Sequence, residues 1–452
     1  MSDNTKNIIY KRIPLIWLSF LFFLLFEPIF DHNLTFAKTM SLGEVLHQVE
    51  QNAPILKAAQ ANAKMFKAKR SVVRSKFLGE IDAFAHDLHY NDDRLTRPMS
   101  PPINMSALTY DDNQIGYGLS AQLPLDINGH IRYNFHALSH QANAAQEDAY
   151  NVRLNLLHSA AKIYRGLEQV TGQREALQKQ AEALTGHINV ATTAIKIGRI
   201  APVEKLRLVA ELKNVEGHLA ELDGVEATLR AQLASLMNVS SFTDSIPTMV
   251  EKPQLLQTSP DKLKNRPDLK AAKERKDATH AGVIAAKVTY LPEFFATANW
   301  QQNQGYNGSG QDDATWQVMI KARLPLWNGG RRRAEIGQAK AQNQAARYKL
   351  LALQEKARAE FVASQSKWNA GQAQYEAAKS ALAASEEMTR IQTDRFNEGR
   401  LSAADLVDAE ATLERARSGL TTSLVKWWQA DDAMRQTIGL PPAAYLNNQT
   451  KK

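Results

Sequence analysis

The sequence of 452 residues contains no cysteine. This absence excludes disulfides, thiolate metal sites, iron–sulfur clusters and cysteine nucleophiles, and it leaves no thiol to carry a bacterial lipid anchor. The formal net charge is +8, but no run of five or six lysines and arginines is present. A nucleic-acid-binding arm is therefore not indicated, and we expect no nucleic-acid partner.

Catalytic motifs are equally scarce. No Ser/His/Asp order, glycine-rich phosphate loop or pair of catalytic carboxylates stands out, so the sequence predicts no enzyme and no cofactor. His86 and His89 form an H-x-x-H pair. Residues three apart on a strand point to opposite faces, so we expect no metal site there.

A long apolar run occurs only near the N-terminus. Lys6, Lys11 and Arg12 precede the run from Ile13 to Phe26, which has 14 residues. A helix needs about 20 to cross a bilayer. With a small-x-small site ending at Ala37, this pattern predicts a signal peptide over residues 1–37, with an uncleaved anchor as the alternative.

The remaining sequence contains two similar halves, which predicts two copies of one structural unit. The matching pairs are residues 52–59 with 265–272, 123–129 with 324–329, and 198–200 with 399–401, at offsets of 213, 200 to 201, and 201. The offset of the first pair exceeds the offset of 201 by 12 residues, and we place these extra residues in the loop at about residues 95–110.

Both copies follow one order: a helix, two strands, a very long helix, a turn and a further helix. Two-residue alternation and loops rich in Asn, Asp and Gly predict the strand hairpins. The first repeat is residues 38–238, with a helix at about 42–78, a β-hairpin at about 80–125, a long helix at 129–197, a tip at 198–202 and a helix at 203–238. The second is residues 265–440, with a helix at about 266–290, a β-hairpin at about 293–325, a long helix at 329–397, a tip at 398–402 and a helix at 403–438. Residues 239–264 connect the repeats, and 441–452 form a C-terminal tail.

The long helices decide the fold class. Residues 129–197 and 329–397 contain no proline, and each span has 69 residues. A continuous helix of that length would be about 100 Å long, too long for a compact domain. Apolar and small side chains recur at alternating intervals of 3 and 4, a pattern typical of left-handed coiled coils. The sequence therefore predicts a mainly α fold of long coiled-coil hairpins with four strands per chain.

The ends of these helices carry capping signals. Gly198 and Gly399 follow the last periodic residues and are expected to form tight turns. Pro202 can begin the next helix of the first repeat. Ser402, with Asp405 three residues on, is a candidate N-cap in the second repeat.

These features resemble the TolC-type outer-membrane efflux proteins, which are the outer membrane factors of tripartite efflux and secretion systems. Residues 396–410 (FNEGRLSAADLVDAE) are similar to that family's aromatic-x-x-Gly-x-x-Ser/Thr-x-x-Asp pattern at the second tip. Residues 265–269 (NRPDL) resemble the start of its second repeat, and residues 324–330 (LPLWNGG) its strand-to-helix junction. The resemblance covers residues 41–440.

The resemblance implies a homotrimer in the bacterial outer membrane that extends into the periplasm. Its four strands per chain would form a shared twelve-stranded β-barrel, and its helices a periplasmic tunnel. A periplasmic adaptor protein and an inner-membrane pump of the RND or ABC type would be the partners, and the chain would be the passive exit duct. A periplasmic coiled-coil scaffold without a pore is the alternative, and the transported substrate stays open among metal ions, drugs and proteins.

Candidate entrance residues follow from the same resemblance. Asp405 and Asp408 would line the periplasmic entrance, and Glu204 lies 201 residues before Asp405 in the first repeat. In a trimer each becomes a ring of three carboxylates that favours cations. The alternative is that these acids only stabilise helix N-termini. Phe396 and Leu401 replace the Tyr and Arg of the best-known member's gate, so we do not expect that particular hydrogen-bond network.

Two further groups of candidate residues complete the prediction. The tips would dock the adaptor, although a structural need for glycine is an alternative; the residues are Gly198, Arg199, Gly399 and Arg400. The second hairpin's ends would meet outer-membrane lipid, with core packing or a solvated face as alternatives; the residues are Trp300, Trp316, Trp327, Arg331, Arg332 and Arg333.

Overall fold

The computed structural model describes residues 39–96, 98–247, 251–256, 258–306 and 314–449, and the predicted signal peptide lies outside them. The chain forms eight α-helices and four strands within these residues. The helices are α1 (Leu42–Asn52), α2 (Pro54–Ser75), α3 (His130–Lys196), α4 (Pro202–Met237), α5 (Pro267–Val288), α6 (Arg331–Asn397), α7 (Ala403–Thr437) and α8 (Ala443–Gln449). The strands are β1 (Glu80–Leu95), β2 (Tyr110–Leu125), β3 (Glu293–Gly305) and β4 (Ala314–Arg323).

The four strands form one antiparallel sheet in the order β1-β2-β3-β4. The two predicted hairpins therefore exist and lie side by side, joined through β2 and β3. β1 and β4 are the two edges, and neither edge has a further partner among the described strands. Four strands in sequence order with two open edges do not close into a barrel within one chain.

The two faces of this sheet differ sharply in polarity. On one face, rungs of opposed residues are polar, such as Asp82, Ser120, Asn299 and Gln317. The other face is apolar and largely exposed, with Ile320 at 74% exposure. Its opposed side chains are Ile81, Ala83, Ala85, Leu119, Ala121, Leu123, Phe294, Ala296, Ala298, Trp300, Trp316, Val318, Ile320 and Ala322.

The helices form a single layer of four side-by-side elements. In the part of the layer next to the sheet the order is α2, α3, α5, α6, and in the part that leads to the hairpin tips it is α4, α3, α7, α6. We call the region between these two parts mid-height. The two long helices run through both parts because α3 and α6 have 67 residues each, about 100 Å. Among the described residues, no helix has both the length and the apolar character needed to cross a membrane.

One surface of the layer is covered at mid-height by α1 and α8. α1 begins with a capping box in which Ser41 and Glu44 satisfy each other's backbone N–H groups. Its apolar residues pack on α3 and α4 in the largest core cluster. Arg153 of α3 donates to the hydroxyl of Tyr445 in α8 at 2.9 Å and pairs with Glu50 of α1. The terminal elements are thus tied to the middle of α3.

The elements begin and end close to the predicted positions, with one break not foreseen. The helix expected at about 42–78 is two helices because Ala53 adopts an extended conformation (φ −60°, ψ 120°) before Pro54. A residue before proline is biased to this region. β1 and β2 have 16 residues each and are longer than the second hairpin's strands.

Candidate functional site

Both hairpin tips close through the same backbone motif. Gly198 and Gly399 each have φ of +72°, and the next residue donates its N–H to the carbonyl five residues earlier at 2.9 Å. This is a Schellman ending, which favours glycine because an L side chain is strained at positive φ. The predicted glycine-dependent turns are confirmed.

The first tip also contacts the second. The Glu204 carboxylate accepts the backbone N–H of Ala403, the first residue of α7, at 2.8 Å. The Arg199 guanidinium donates to the carbonyl of Glu398, just beyond the end of α6, at 3.1 Å. Each charge has the sign that the helix dipole favours at that end. The two side chains join the hairpins, a role that the repeat alignment did not predict.

Asp405 and Asp408 lie in the first turns of α7 and are both exposed. The Ser402 hydroxyl accepts the N–H of Asp405 at 3.2 Å and donates to its carboxylate at 2.7 Å. Ser402 is therefore the N-cap of α7, as the sequence predicts. The second-tip residue Arg400 is exposed and pairs with the Glu398 carboxylate at 3.1 Å.

One side of α7 is covered and the other is not. Trp428 donates its indole N–H to the carbonyl of Glu251, in the segment between the repeats, at 2.8 Å. Lys426 lies about 200° around the helix from Trp428. Asp405 precedes Lys426 by 21 residues, three heptads, so in a supercoiled helix both lie on one face with Asp408 beside them. We term this uncovered side, bearing Asp405, Asp408 and Lys426, the open face.

The residues at the family's gate positions make apolar contacts instead. Phe396 is only 4% exposed, and its ring meets His187 of α3 edge-on at 6.1 Å. His187 Nε2 lies 2.9 Å from the Glu410 carboxylate of α7, and both side chains are buried. Leu401 packs on the same apolar cluster. A buried pair between the hairpins therefore lies close to the tips, and sequence reasoning missed it.

A larger set of buried charges lies between α3 and α7 at mid-height. Arg165 pairs with Glu168 of the same helix at 2.9 Å and crosses to α7 by lying over the ring of Trp428, and Arg435 pairs with Asp431 within α7 at 2.7 Å. All of these carboxylates are nearly inaccessible. We term this set the mid-height ionic cluster, and its members are Arg165, Glu168, Asp431, Asp432 and Arg435.

Burial shifts the titration of this cluster. It raises the pKa of Glu168, against the opposing effect of Arg165. Burial raises the pKa of Asp432 to about 6, since Arg165 offsets only part of the desolvation and Asp431 adds repulsion. Burial also lowers the pKa of the neighbouring His158 to about 4. At neutral pH this histidine is therefore uncharged, and its Nε2 lies 2.9 Å from the carbonyl of Leu440.

The predicted interface tryptophans lie at the second hairpin. Trp300 and Trp316 are directly opposed on β3 and β4, on the apolar face, and Tyr117 meets Trp300 edge-on at 6.2 Å. Trp316 is 77% exposed. Trp327 follows β4 and is 85% exposed, so neither side chain belongs to a core within one chain.

The three arginines begin α6 in an unusual environment. In the first repeat Asp126 accepts the N–H groups of Ile131 and Arg132, which begin α3. Trp327 stands 201 residues later, so α6 lacks this acidic cap. Arg331 forms an ion pair with Glu335 at 3.5 Å, and the Arg332 guanidinium lies over the ring of Tyr290. Arg333 is exposed.

His86 and His89 lie on opposite faces of β1, as their spacing predicts. His86 opposes Gly116 and stacks on Phe84, whereas His89 opposes Asn113. Across the part of the chain that the structure describes, no group of three or more His, Asp or Glu residues could hold a metal ion.

Comparison with known proteins identifies the family to which this chain belongs. The family model described as outer membrane efflux protein matches residues 45–239 and 259–440, which is most of the chain and both repeats. The chain belongs to the outer membrane efflux protein family. Membership in a family of efflux proteins supports the prediction of a transport protein and not an enzyme.

The curated relatives are distant in sequence, and a solved structure has a similar fold. The chain is 24% identical to the outer membrane efflux protein BepC of Brucella suis over 62% of each chain. It is 24% identical to the solvent efflux pump outer membrane protein SrpC of Pseudomonas putida over 68% of this chain and 65% of that one. The chain thus spans less than two thirds of these curated relatives. The crystal structure of the outer membrane protein VceC from Vibrio cholerae superposes with a TM-score of 0.76 at 18% identity, over 88% of this chain and 96% of that one.

Proposed function

We propose that this chain is the outer-membrane exit duct of a tripartite efflux pump or a type I secretion system. Three copies would place their sheets edge to edge in the outer membrane and their helices in the periplasm, so that substrates pass through a continuous tunnel. The observation that carries the proposal is the sheet, with one exposed apolar face, one polar face and two open edges. Closure of several such sheets satisfies the edges and presents the apolar face to lipid.

The helical layer supports the same assembly. Its outer elements α4 and α6 carry exposed apolar side chains that no described residue of the chain covers. Such stripes on both margins suit contact between copies. The exposed residues include Val203, Leu206 and Val225 of α4, and Tyr348, Leu351, Val362, Met388 and Ile391 of α6.

Extraction and conductance test the duct. The full chain, expressed in a Gram-negative host, is expected in the outer-membrane fraction, to migrate as a trimer in mild detergent and to form channels in planar bilayers. A chain that is found soluble in the periplasm, migrates as a monomer or forms no channels in planar bilayers contradicts the duct and favours the coiled-coil scaffold.

Asp405 and Asp408 are proposed to ring the periplasmic entrance, because both are exposed on the open face beside the tips. The double variant Asp405→Ala/Asp408→Ala is expected to lower cation selectivity, measured as the reversal potential in a salt gradient. Glu251→Ala/Asp261→Ala, which removes the same charge from the segment between the repeats, is the control. Equal selectivity of the two variants contradicts an entrance ring.

The tips are proposed to dock a periplasmic adaptor, and an inner-membrane pump would supply the energy. Arg400 suits docking better than Arg199, since it is exposed and contacts only its own tip. A photo-crosslinking residue at position 400 is expected to capture a periplasmic protein in cells, whereas one at Lys213, on the shaft of α4, is not. Capture at both positions, or at neither, contradicts docking at the tips.

Trp316, Trp327 and the arginines at the start of α6 are proposed to meet outer-membrane lipid and its anionic headgroups. The support is their exposure beside the apolar face. Brominated lipids are expected to quench tryptophan fluorescence of the native chain, and Trp316→Phe/Trp327→Phe is expected to lose most of that quenching. Undiminished quenching in this variant contradicts the assignment.

A further inference from the structure

A groove of about 440 Å³ runs along the open face at mid-height, between α3, α6 and α7. Its rim carries Lys162, Lys367 and Lys426, one from each helix. Within the described residues, no carboxylate lies at ion-pair distance from any of the three ammonium groups. Its floor is lined by the small residues Ala370, Gly371, Ala430 and Ala433, which leave a shallow apolar surface.

The groove belongs to the side of the layer that faces away from α1. Tyr164 of α3 donates its hydroxyl to the carbonyl of Met40 beneath α1 at 2.8 Å. Lys162 precedes Tyr164 by two residues and so lies about 200° around α3. Asp405 and Lys426 share the corresponding face of α7. The same surface is therefore acidic at the tip and basic at mid-height.

Two buried polar groups line the groove behind the lysines. His158 and Asp432 are each 7% exposed, and His158 Nδ1 and both carboxylate oxygens of Asp432 lack a hydrogen-bond partner. The N–H of Ala443 favours the ionised carboxylate but does not meet hydrogen-bond geometry with either oxygen. Unpartnered buried acceptors are costly and indicate that something else supplies a donor. The groove thus offers cations at its rim and acceptors in its depth.

We propose that this groove binds small aromatic anions that carry a hydroxyl or N–H donor. The anionic groups would contact the three ammonium groups, the ring would lie on the small residues of the floor, and the donor would reach His158 Nδ1 or Asp432. The volume suits a ligand of one or two rings. This inference deepens the proposed function, because it names a class of solute that the duct would hold at mid-height.

The test is direct binding to the purified full chain in detergent, by isothermal titration at low salt. The probe is 4-hydroxybenzene-1,3-disulfonate, which has two negative charges, one ring and one hydroxyl. Two matched probes separate the contributions: benzene-1,3-disulfonate lacks the hydroxyl, and tyramine keeps the phenol but is a cation. We expect the hydroxylated disulfonate to bind about fivefold more tightly than the plain disulfonate, the value of one net hydrogen bond, and tyramine not to bind.

The triple variant Lys162→Gln/Lys367→Gln/Lys426→Gln is expected to weaken binding of the disulfonate by at least about tenfold, because three partly exposed charge contacts are lost. Lys252→Gln/Lys262→Gln/Lys264→Gln removes the same charge from the segment between the repeats and is expected to bind like the native chain. Equal affinity of the two triple variants, or binding of tyramine as tight as that of the disulfonate, overturns the proposal. Binding without any conductance would contradict the duct and leave the groove standing, so the two failures are distinguishable.

Discussion

The tips and the mid-height region join the same two hairpins by opposite means. At the tips, the partly exposed Glu204 and the exposed Arg199 contact backbone groups of the second hairpin. At mid-height, α3 and α7 share a buried ionic cluster around Arg165 and Asp432. Exposed charge–dipole contacts contribute about 1 kcal/mol or less, whereas breaking a buried charge pair costs several. We therefore expect the contacts between the tips to open at a lower free-energy cost than those in the middle of the layer.

The largest effect is expected from Arg165→Met. It leaves Glu168 buried without its ion-pair partner and takes from Asp432 the larger of its two cationic influences, and we expect a loss of about 3–5 kcal/mol in the free energy of unfolding. Thermal unfolding in detergent, followed by helical circular dichroism, measures it. Arg174→Met, on the same helix but in a partly exposed pair with Asp223 and Glu226, is the control and should cost about 1 kcal/mol or less. Equal losses would erase the contrast between buried and exposed joints.

Asp432→Asn is expected to stabilise the chain, and the gain in stability should depend on pH. Because burial raises the folded-state pKa to about 6, the folded chain holds a proton between about pH 4 and 6 that the unfolded chain releases. The contribution of Asp432 to stability therefore falls as pH rises through that window, by up to about 3 kcal/mol for a shift of about two units, while His158, whose pKa is lowered, contributes in the opposite direction. The variant should unfold at higher temperature than the native chain at pH 7.5 and show no such gain at pH 4.

The control for that experiment is Asp408→Asn, an exposed aspartate of the same helix. It should leave the pH dependence of unfolding unchanged. If Asp432→Asn shows the same pH dependence of unfolding as the native chain between pH 4 and 7.5, the assigned role of Asp432 is contradicted.

Glu410→Ala tests the buried His187–Glu410 pair, which lies between the tips and the mid-height region. It leaves His187 buried and without its carboxylate partner, so we expect a loss of about 2 kcal/mol, less than for Arg165→Met. Glu414→Ala, one turn further along α7, is the matched control and should have a small effect. Similar unfolding temperatures for these two variants would show that the joint between hairpins weakens well before the tips.

The smallest effect is expected from Glu204→Ala, about 0.5–1 kcal/mol. Its signature is local: amide exchange at Ala403 should accelerate, because the Glu204 carboxylate accepts that N–H. Asp405→Ala, the repeat equivalent, should leave Ala403 protected. Acceleration in both variants would mean that the two tips are equivalent after all.

Much of the fold follows from local patterns in the sequence. Two proline-free spans and a 3-4 apolar repeat predict α3 and α6, and the glycines at 198 and 399 predict both tips. These features are local, so a single chain segment contains all the information that they require. The break at Ala53 was missed because an apolar period continues across Pro54, and the extended residue before proline ends the first helix.

The candidate site was predictable only where it depends on one helix. Ser402 caps its own helix, and its spacing to Asp405 reveals this. Glu204 has the same place in its repeat but caps a different helix, which depends on how the hairpins pack. The partners of Arg165 and His187 on α7 are more than 200 residues away, and no local pattern indicates which polar residues of a coiled coil become buried.

The open edges of β1 and β4 also have a genetic consequence. In the proposed trimer every edge meets an edge of another chain, so one chain with a damaged β1 leaves a gap that its two normal neighbours cannot close. A cell that makes normal and damaged chains together would keep intact assemblies only as the cube of the normal fraction. A proline inserted in β1 would therefore behave as a dominant mutation, whereas deletion of one of two gene copies would be recessive.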